Sequence, residues 1–302
     1  MSATAPLERA PDALGPGELW LKREDRHELG VFKWRGALPA LEEYRSRGAG
    51  AVVTASTGNH GAASAWAAER LGMRAVVFVP DGASRTKVER LRSLGAELHE
   101  VGADLDASKE LAREHAEEHG LPFFEDGAEP AQFGGYAAIG AELVEELGRP
   151  PARVVAPIGN GALLIGLARG LAAAGAGGVA VGVVASAAPV MALSVAAATP
   201  VDCDRSDTFA DGMAVRVAIP LAVDELVELG VPIVEVSERA IARAVGAFDR
   251  AGIRVEGSAA APLATLELLE PVDGPTVLIV TGRNIDDELH RRASEEPESF
   301  PG

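Results

Sequence analysis

Strand-length apolar runs, each followed by a helix-length stretch, constrain this 302-residue chain more than any other feature. Ala51-Val52-Val53-Thr54-Ala55, Ala75-Val76-Val77-Phe78-Val79, Val154-Val155-Ala156-Pro157-Ile158 and residues 179–185 and 276–280 are apolar nearly throughout, not alternating. Strands of that kind are buried on both faces, and when helices separate them they build a parallel sheet covered on both sides. From residue 49 to about 126 the text reads strand, helix, strand, helix, strand, helix, strand. Past Gly127 a second series opens, with helices expected at 136–147, 162–174, 190–198, 238–250 and 257–269. Its strands are expected at 154–158, 179–185, 231–236 and 276–280, and the tail after Glu295 reads as frayed. The fold class is therefore α/β, as two open, mostly parallel twisted sheets flanked by helices. A small domain at 50–128 is expected inside a discontinuous large domain made of 1–49 and 129–302.

Composition narrows the partners. A formal net charge of −17 opposes a phosphate backbone or an anionic membrane surface, each of which needs a basic face. The longest apolar runs are too short to span a bilayer. The first seventeen residues hold neither a basic n-region nor an apolar h-region, so no secretion signal is read and the expected compartment is the cytoplasm. A single cysteine, Cys203, rules out an internal disulfide framework and gives no zinc-cluster spacing.

Within Gly30-Val31-Phe32-Lys33-Trp34-Arg35-Gly36-Ala37, Lys33 stands out because the chain holds only four lysines against twenty-four arginines. A desolvated lysine can lose its proton and condense with a carbonyl, which arginine cannot do. The plain alternative is a snorkelling lysine at a helix start, its stem beside Phe32 and Trp34. Three loops then fall where open α/β sheets bind ligands, after strands and before helices. Ser56-Thr57-Gly58-Asn59-His60 is more polar than one helix cap requires, and its amides suit a carboxylate. Gly159-Asn160-Gly161-Ala162 is no Walker loop, but successive amides among small side chains suit one phosphate monoester. Thr281 ends the last strand; read alone, the first loop is equally a helix cap, the second reads as a tight βα turn, and the third is simply a strand end with a hydroxyl.

Taken in order, the blocks Lys22-Arg23-Glu24-Asp25, Phe32-Lys33-Trp34-Arg35-Gly36-Ala37, Ser56-Thr57-Gly58-Asn59-His60-Gly61, Ala210-Asp211-Gly212 with Ala214-Val215, Glu256-Gly257-Ser258-Ala259-Ala260 and Thr281-Gly282-Arg283-Asn284 form a set. Together they resemble the serine/threonine dehydratase branch of the fold-type II pyridoxal-phosphate enzymes, whose fold is similar to the tryptophan synthase β chain. The resemblance implies pyridoxal 5'-phosphate as cofactor, lodged between two domains, and a small amino-acid substrate, commonly in a homodimer. It implies that Lys33 carries the cofactor as a Schiff base and later removes the substrate's α-proton. Ser56 joins it as a catalytic residue, and Ser56, Thr57, Gly58 and His60 surround the substrate carboxylate. Phe32 packs near the ring, Asn59 meets its phenolic oxygen, and Gly159, Asn160, Gly161, Ala162 and Leu163 take the phosphate. Thr281 faces the pyridine nitrogen, and Glu256 approaches the ring from the substrate side.

The same resemblance implies β-elimination from a hydroxy amino acid such as L-threonine or L-serine, giving a 2-oxo acid and ammonia. Several departures matter. Val31 replaces a serine, and Asn160 and Ala162 replace glycines in a way that is similar to threonine synthases. Gly134-Gly135-Tyr136 replaces a polar segment. Thr57 stands where racemising relatives use serine, and Ala185-Ser186-Ala187 lacks the acidic residue of metal-binding relatives, so no metal is expected. A threonine-synthase-like or β-replacement enzyme, or a ligand-binding relative without catalysis, are the alternatives.

Overall fold

The structure, a computed structural model, describes residues 5–302. In chain order its elements are β1 (Leu7–Arg9), β2 (Leu19–Arg23), α1 (Trp34–Ser46), β3 (Ala51–Ala55), α2 (Asn59–Leu71), β4 (Arg74–Val79), α3 (Arg85–Ser93), β5 (Glu97–Glu100), α4 (Leu105–His119) and α5 (Pro130–Leu147). There follow β6 (Arg153–Pro157), α6 (Ala162–Ala173), β7 (Ala180–Ala185), α7 (Val190–Ala197), α8 (Pro220–Leu229), β8 (Ile233–Val236), α9 (Glu238–Arg250), α10 (Gly257–Ala264), β9 (Thr276–Val280) and α11 (Asp287–Glu295). Two compact units result, one of Lys33–Gly135 and one of the described residues up to Phe32 together with Tyr136–Gly302.

The larger unit holds a six-stranded sheet in the order β1-β2-β9-β6-β7-β8. Only β1 runs antiparallel, pairing Leu7 with Lys22. The parallel register sets Leu21 opposite Leu278 and Val155 opposite Leu278, so apolar residues stack across the sheet. Leu21, Val155, Val183, Leu278 and Val280 join Val245 and Phe248 of α9 in a core closed to water. The smaller unit holds β3-β4-β5, all parallel, with Val53, Val76 and Phe78 packed on Ala112 and Ala116 of α4. Strands with apolar residues on both faces thus lie between helices, as the runs require.

Local chemistry fixes the helix ends. Asp104 caps α4 by accepting the Ala107 N–H, and Gly120 closes it in the left-handed conformation. Ser237 caps α9 in the same way through Ala240. The outline differs from expectation in several places. The strand expected to close the series near residue 126 is reduced to a single parallel bridge between Phe123 and Val53, because Pro122 breaks into the run just before it. Strand β1 and helices α8 and α11 are additional, α5 starts at Pro130 instead of 136, and α10 stops at Ala264. The tail is not frayed: Phe300 is buried and Pro301 accepts the Arg239 N–H. Helix α1 groups with the smaller unit because it packs on α2, Trp34 meeting Trp66 edge-on at 6.1 Å, so that unit begins at Lys33, not at residue 50. Among the described residues no helix is long and apolar enough to cross a membrane.

Candidate active site

In the smaller unit, Lys33 immediately precedes α1, and its carbonyl accepts the Gly36 and Ala37 N–H groups. Its backbone is therefore already helical, and the side chain is only 16% exposed. Nζ lies 2.5 Å from Asp126 Oδ2. The other carboxylate oxygen accepts Gln132 Nε2–H at 3.1 Å, while Gln132 Oε1 accepts the Gly127 N–H at 2.9 Å. His60 Nδ1 stands 3.6 Å from Asp126 Oδ1, and its Nε2 is 3.2 Å from the Phe124 carbonyl. A carbonyl only accepts, so Nε2 carries a hydrogen and Nδ1 faces the carboxylate. Burial alone would raise the Asp126 carboxyl; the charges of Lys33 and His60 and the hydrogen bonds from Lys33 and Gln132 overturn that and hold it far below the usual range. Burial is also the largest influence on His60 and depresses it, Lys33 adding to this while Asp126 opposes it.

Ser56, Thr57 and Gly58 form the turn between β3 and α2, with Asn59 and His60 as the first residues of that helix. The Gly58 N–H donates to Ser56 Oγ at 3.1 Å, which closes the turn. A side chain at Gly61 would reach within 2.6 Å of the Ser56 carbonyl, so the turn lies tight against its helix. The start of a thirteen-residue helix gives this loop a positive dipole end suited to a carboxylate.

In the larger unit the remaining predicted residues form a connected set of loops at strand ends. Phe32 donates its N–H to the Thr281 carbonyl at 3.0 Å, and Arg283 donates to Gly30. Asn284 Nδ2 reaches the Leu29 carbonyl at 3.0 Å, so residues 29–32 run beside 281–284. The Glu256 N–H donates to Gly282, and a Cβ at Gly282 would come within 2.8 Å of the Glu256 carboxylate. Gly159 follows β6; a Cβ there would lie 2.3 Å from the Gly212 carbonyl. Gly212 in turn borders Ser258 and Glu256. Gly161, with φ +93°, turns the chain into α6, where Ala162 and Leu163 are buried. Phe32 packs on Tyr136 with ring centroids 5.2 Å apart.

Each unit, taken by itself, holds residues that match groups of pyridoxal phosphate. Its phosphate matches the amides of 159–163, which carry no acidic side chain. Thr281 is 1% exposed, and among the described residues its Oγ1 has no hydrogen-bond partner, as a hydroxyl kept for a ring nitrogen would have. An aldehyde matches the amine of Lys33. Among the described residues no group of three or more His, Cys, Asp or Glu side chains could hold a metal ion.

Sequence reasoning missed Asp126, Gln132 and the Phe124 carbonyl. Asp126 follows Glu125 in a chain with 45 acidic residues, and nothing in spacing marks it. A buried cation seeking a counter-charge was the only signal, and it names no partner.

The sequence profile of a family described as pyridoxal-phosphate dependent enzyme matches residues 3–282. The L-threonine ammonia-lyase of Geobacter sulfurreducens is 33% identical over 272 residues, covering 89% of this chain and 67% of that protein. The structure of the processed form of threonine deaminase isoform 2 from Solanum lycopersicum superposes with a TM-score of 0.90 at 29% identity, covering 97% of this chain and 88% of that one. The fungal L-serine ammonia-lyase of Rhizomucor miehei gives a TM-score of 0.85 at 25% identity, covering 98% of each chain.

Proposed function

Because this chain belongs to the family of pyridoxal-phosphate-dependent enzymes, we propose that it is an ammonia-lyase that eliminates water from a hydroxy amino acid such as L-threonine or L-serine, the enamine product taking water back as it hydrolyses, so that the net products are a 2-oxo acid and ammonia. The observation that carries the reading is the near full-length alignment with proteins named for that reaction. When bound, the cofactor supplies a sink for the electron pair left on an amino acid that loses its α-proton.

The chain's own residues divide the work. Lys33 holds the cofactor through Nζ and, once freed from it, takes the α-proton onto the same nitrogen. Gly159, Asn160, Gly161, Ala162 and Leu163 bind the phosphate through main-chain amides, and Asn59 takes the phenolic oxygen. Phe32 closes one side of the ring. Ser56, Thr57, Gly58 and His60 bind the substrate carboxylate, with the Ser56 hydroxyl fixing its orientation. Thr281 offers the ring nitrogen a neutral hydroxyl in place of a carboxylate. A neutral hydroxyl would not hold that nitrogen protonated, so the bound cofactor would supply a weaker electron sink than one facing a carboxylate. Glu256, whose carboxylate lies beside Gly282, is assigned to the substrate side.

Lys33→Ala tests the reading: 2-oxo acid release from threonine and serine is lost while the circular dichroism spectrum is unchanged. Normal turnover in that variant overturns it. A β-replacement enzyme is the second reading, favoured by Asn160 and Ala162 in the phosphate loop. Assays with and without a thiol, or with phosphohomoserine, separate replacement from elimination. Borohydride reduction followed by peptide mapping to Lys33 separates both from a non-catalytic relative.

A further inference from the structure

Glu238 opens α9 in the larger unit, yet the helix does not need it as a cap, because Ser237 already accepts the Ala240 N–H there. The Glu238 side chain is buried and reaches the segment 208–210 instead. Its Oε2 accepts the Thr208 hydroxyl at 3.1 Å and the Phe209 N–H at 3.0 Å. Thr208 Oγ1 in turn accepts the Ala210 N–H at 3.1 Å. Among the described residues the second oxygen, Oε1, has no hydrogen-bond partner. Burial raises this carboxyl above its ordinary value, and the bonds from Phe209 and Thr208 pull against that. Burying a carboxyl with one oxygen unpaired is destabilising, so neither capping nor packing accounts for Glu238.

The segment it grips leads to the phosphate loop. The Asp211 N–H donates to the Phe209 carbonyl and the Met213 N–H to the Ala210 carbonyl, which winds 209–213 into one tight turn. The Gly212 carbonyl of that turn lies against Gly159, where a Cβ would come within 2.3 Å of it. A Cβ at Gly257, the first residue of α10, would meet the Phe209 ring at 3.0 Å and Ala210 at 3.1 Å, and the Phe209 ring rests on Phe300 with centroids 4.6 Å apart. The start of α10 and Phe300 thus back the turn, and the Glu238 carboxyl ties its first residues by hydrogen bonds. Gly159 has no side chain to cushion the contact. Any displacement of Gly212 therefore moves Gly159 with it or leaves a gap beneath it.

Resting on the assignment of 159–163 to the cofactor phosphate, we propose that Glu238 is a positioning residue for that phosphate. It holds 208–210, the turn that follows places the Gly212 carbonyl, and that carbonyl sets where Gly159 and the amides after it lie. A nest of amides tolerates little misplacement, so the effect falls on the phosphate end of the ligand and spares its ring. A carboxylate and a neutral carboxylic acid both accept at Oε2, so the role does not depend on ionisation.

The full chain, stripped of cofactor with hydroxylamine, is titrated calorimetrically with pyridoxal phosphate and separately with pyridoxal, which lacks the phosphate. In Glu238→Ala the Kd for pyridoxal phosphate is expected to rise on the order of tenfold, as the loss of about one hydrogen bond to the dianion gives, while the Kd for pyridoxal stays unchanged. Glu238→Gln keeps an acceptor for Thr208 and Phe209 and should bind both compounds as the unsubstituted protein does. An unchanged Kd for pyridoxal phosphate in Glu238→Ala overturns the proposal. So does an equal loss for both compounds, which reports general loosening, and so does a Glu238→Gln variant as weak as Glu238→Ala. Should Glu238→Ala fail to fold, Thr208→Val removes the hydroxyl that joins Glu238 to Ala210 at nearly constant shape. Its Kd for pyridoxal phosphate is expected to rise about threefold with that for pyridoxal unchanged, and no rise overturns the proposal. If the unsubstituted protein binds pyridoxal phosphate no more tightly than pyridoxal, the assignment of the phosphate loop itself fails, and the role of Glu238 with it.

Discussion

At the scale of single residues, the few lysines have sharply different fates. Lys22 is wholly buried, 2.8 Å from Glu142 and 2.5 Å from Glu146, and next to it Arg23 makes a two-point contact with Asp25 at 2.8 Å. The block Lys22-Arg23-Glu24-Asp25, which helped to carry the family resemblance, is therefore structural. Lys22→Ala is expected to cost about 3 kcal/mol, since it leaves two carboxylates facing each other around a cavity, and urea unfolding measures it. Scarcity of lysine was enough to single out Lys33 in the sequence. Scarcity alone did not tell Lys33 from Lys22, because the difference lies in partners more than ninety residues away, Glu146 on α5 for Lys22 and Asp126 in the turn before α5 for Lys33. Asp126 escaped notice for the same reason: a counter-ion is defined by distance in space.

At the scale of elements, close helix crossings explain glycines that the sequence could not interpret. A Cβ at Gly170 of α6 would sit 1.9 Å from the Ala137 carbonyl of α5, and one at Gly140 of α5 would lie 2.4 Å from the Leu171 nitrogen. The two helices therefore touch backbone to backbone. Gly170→Ala must push them apart, with an expected loss of about 3 kcal/mol read from the urea midpoint. Gly134 and Gly135 hid the first turn of α5, since glycine weighs against helix in any sequence reading. Yet Gly135 is required there, as a Cβ would come 1.9 Å from the Arg35 carbonyl. Strands β3, β4, β6, β7 and β9 were legible because their apolar runs are continuous; the short β1 was not, and neither were α8 and α11, although each helix carried a start signal. Pro220 opens the first, and Asp286 caps the second by accepting from Glu288 and Leu289. Five of the nine residues of α11 are acidic or arginine outside its buried His290 and Ala293 stripe, which masked its period.

For the molecule as a whole, the alternation of strand and helix announced the fold class, but the order β1-β2-β9-β6-β7-β8 joins strands from opposite ends of the chain and no local pattern encodes it. Acid sensitivity is a property at this scale. Burial depresses His60 below its ordinary 6.5, and it depresses His115 in the same direction, aided by His119 and His99. Groups lowered in the folded state contribute stability above the unfolded value and lose it as pH falls through the folded one. The melting temperature is therefore expected to drop as pH falls below 6.5, and His115→Gln should flatten part of that slope in a thermal-melt series. Asp126 adds a second loss only in strong acid, below its ordinary 3.8.

The phosphate loop has one further consequence, for anyone wishing to redesign it. Gly159 is closed by the Gly212 carbonyl, Gly161 by its backbone angle, and Ala162 by burial, whereas Asn160 is half-buried. Variant libraries spread evenly over these four codons would spend three quarters of their diversity on positions closed by backbone or burial, and surviving clones should differ at 160.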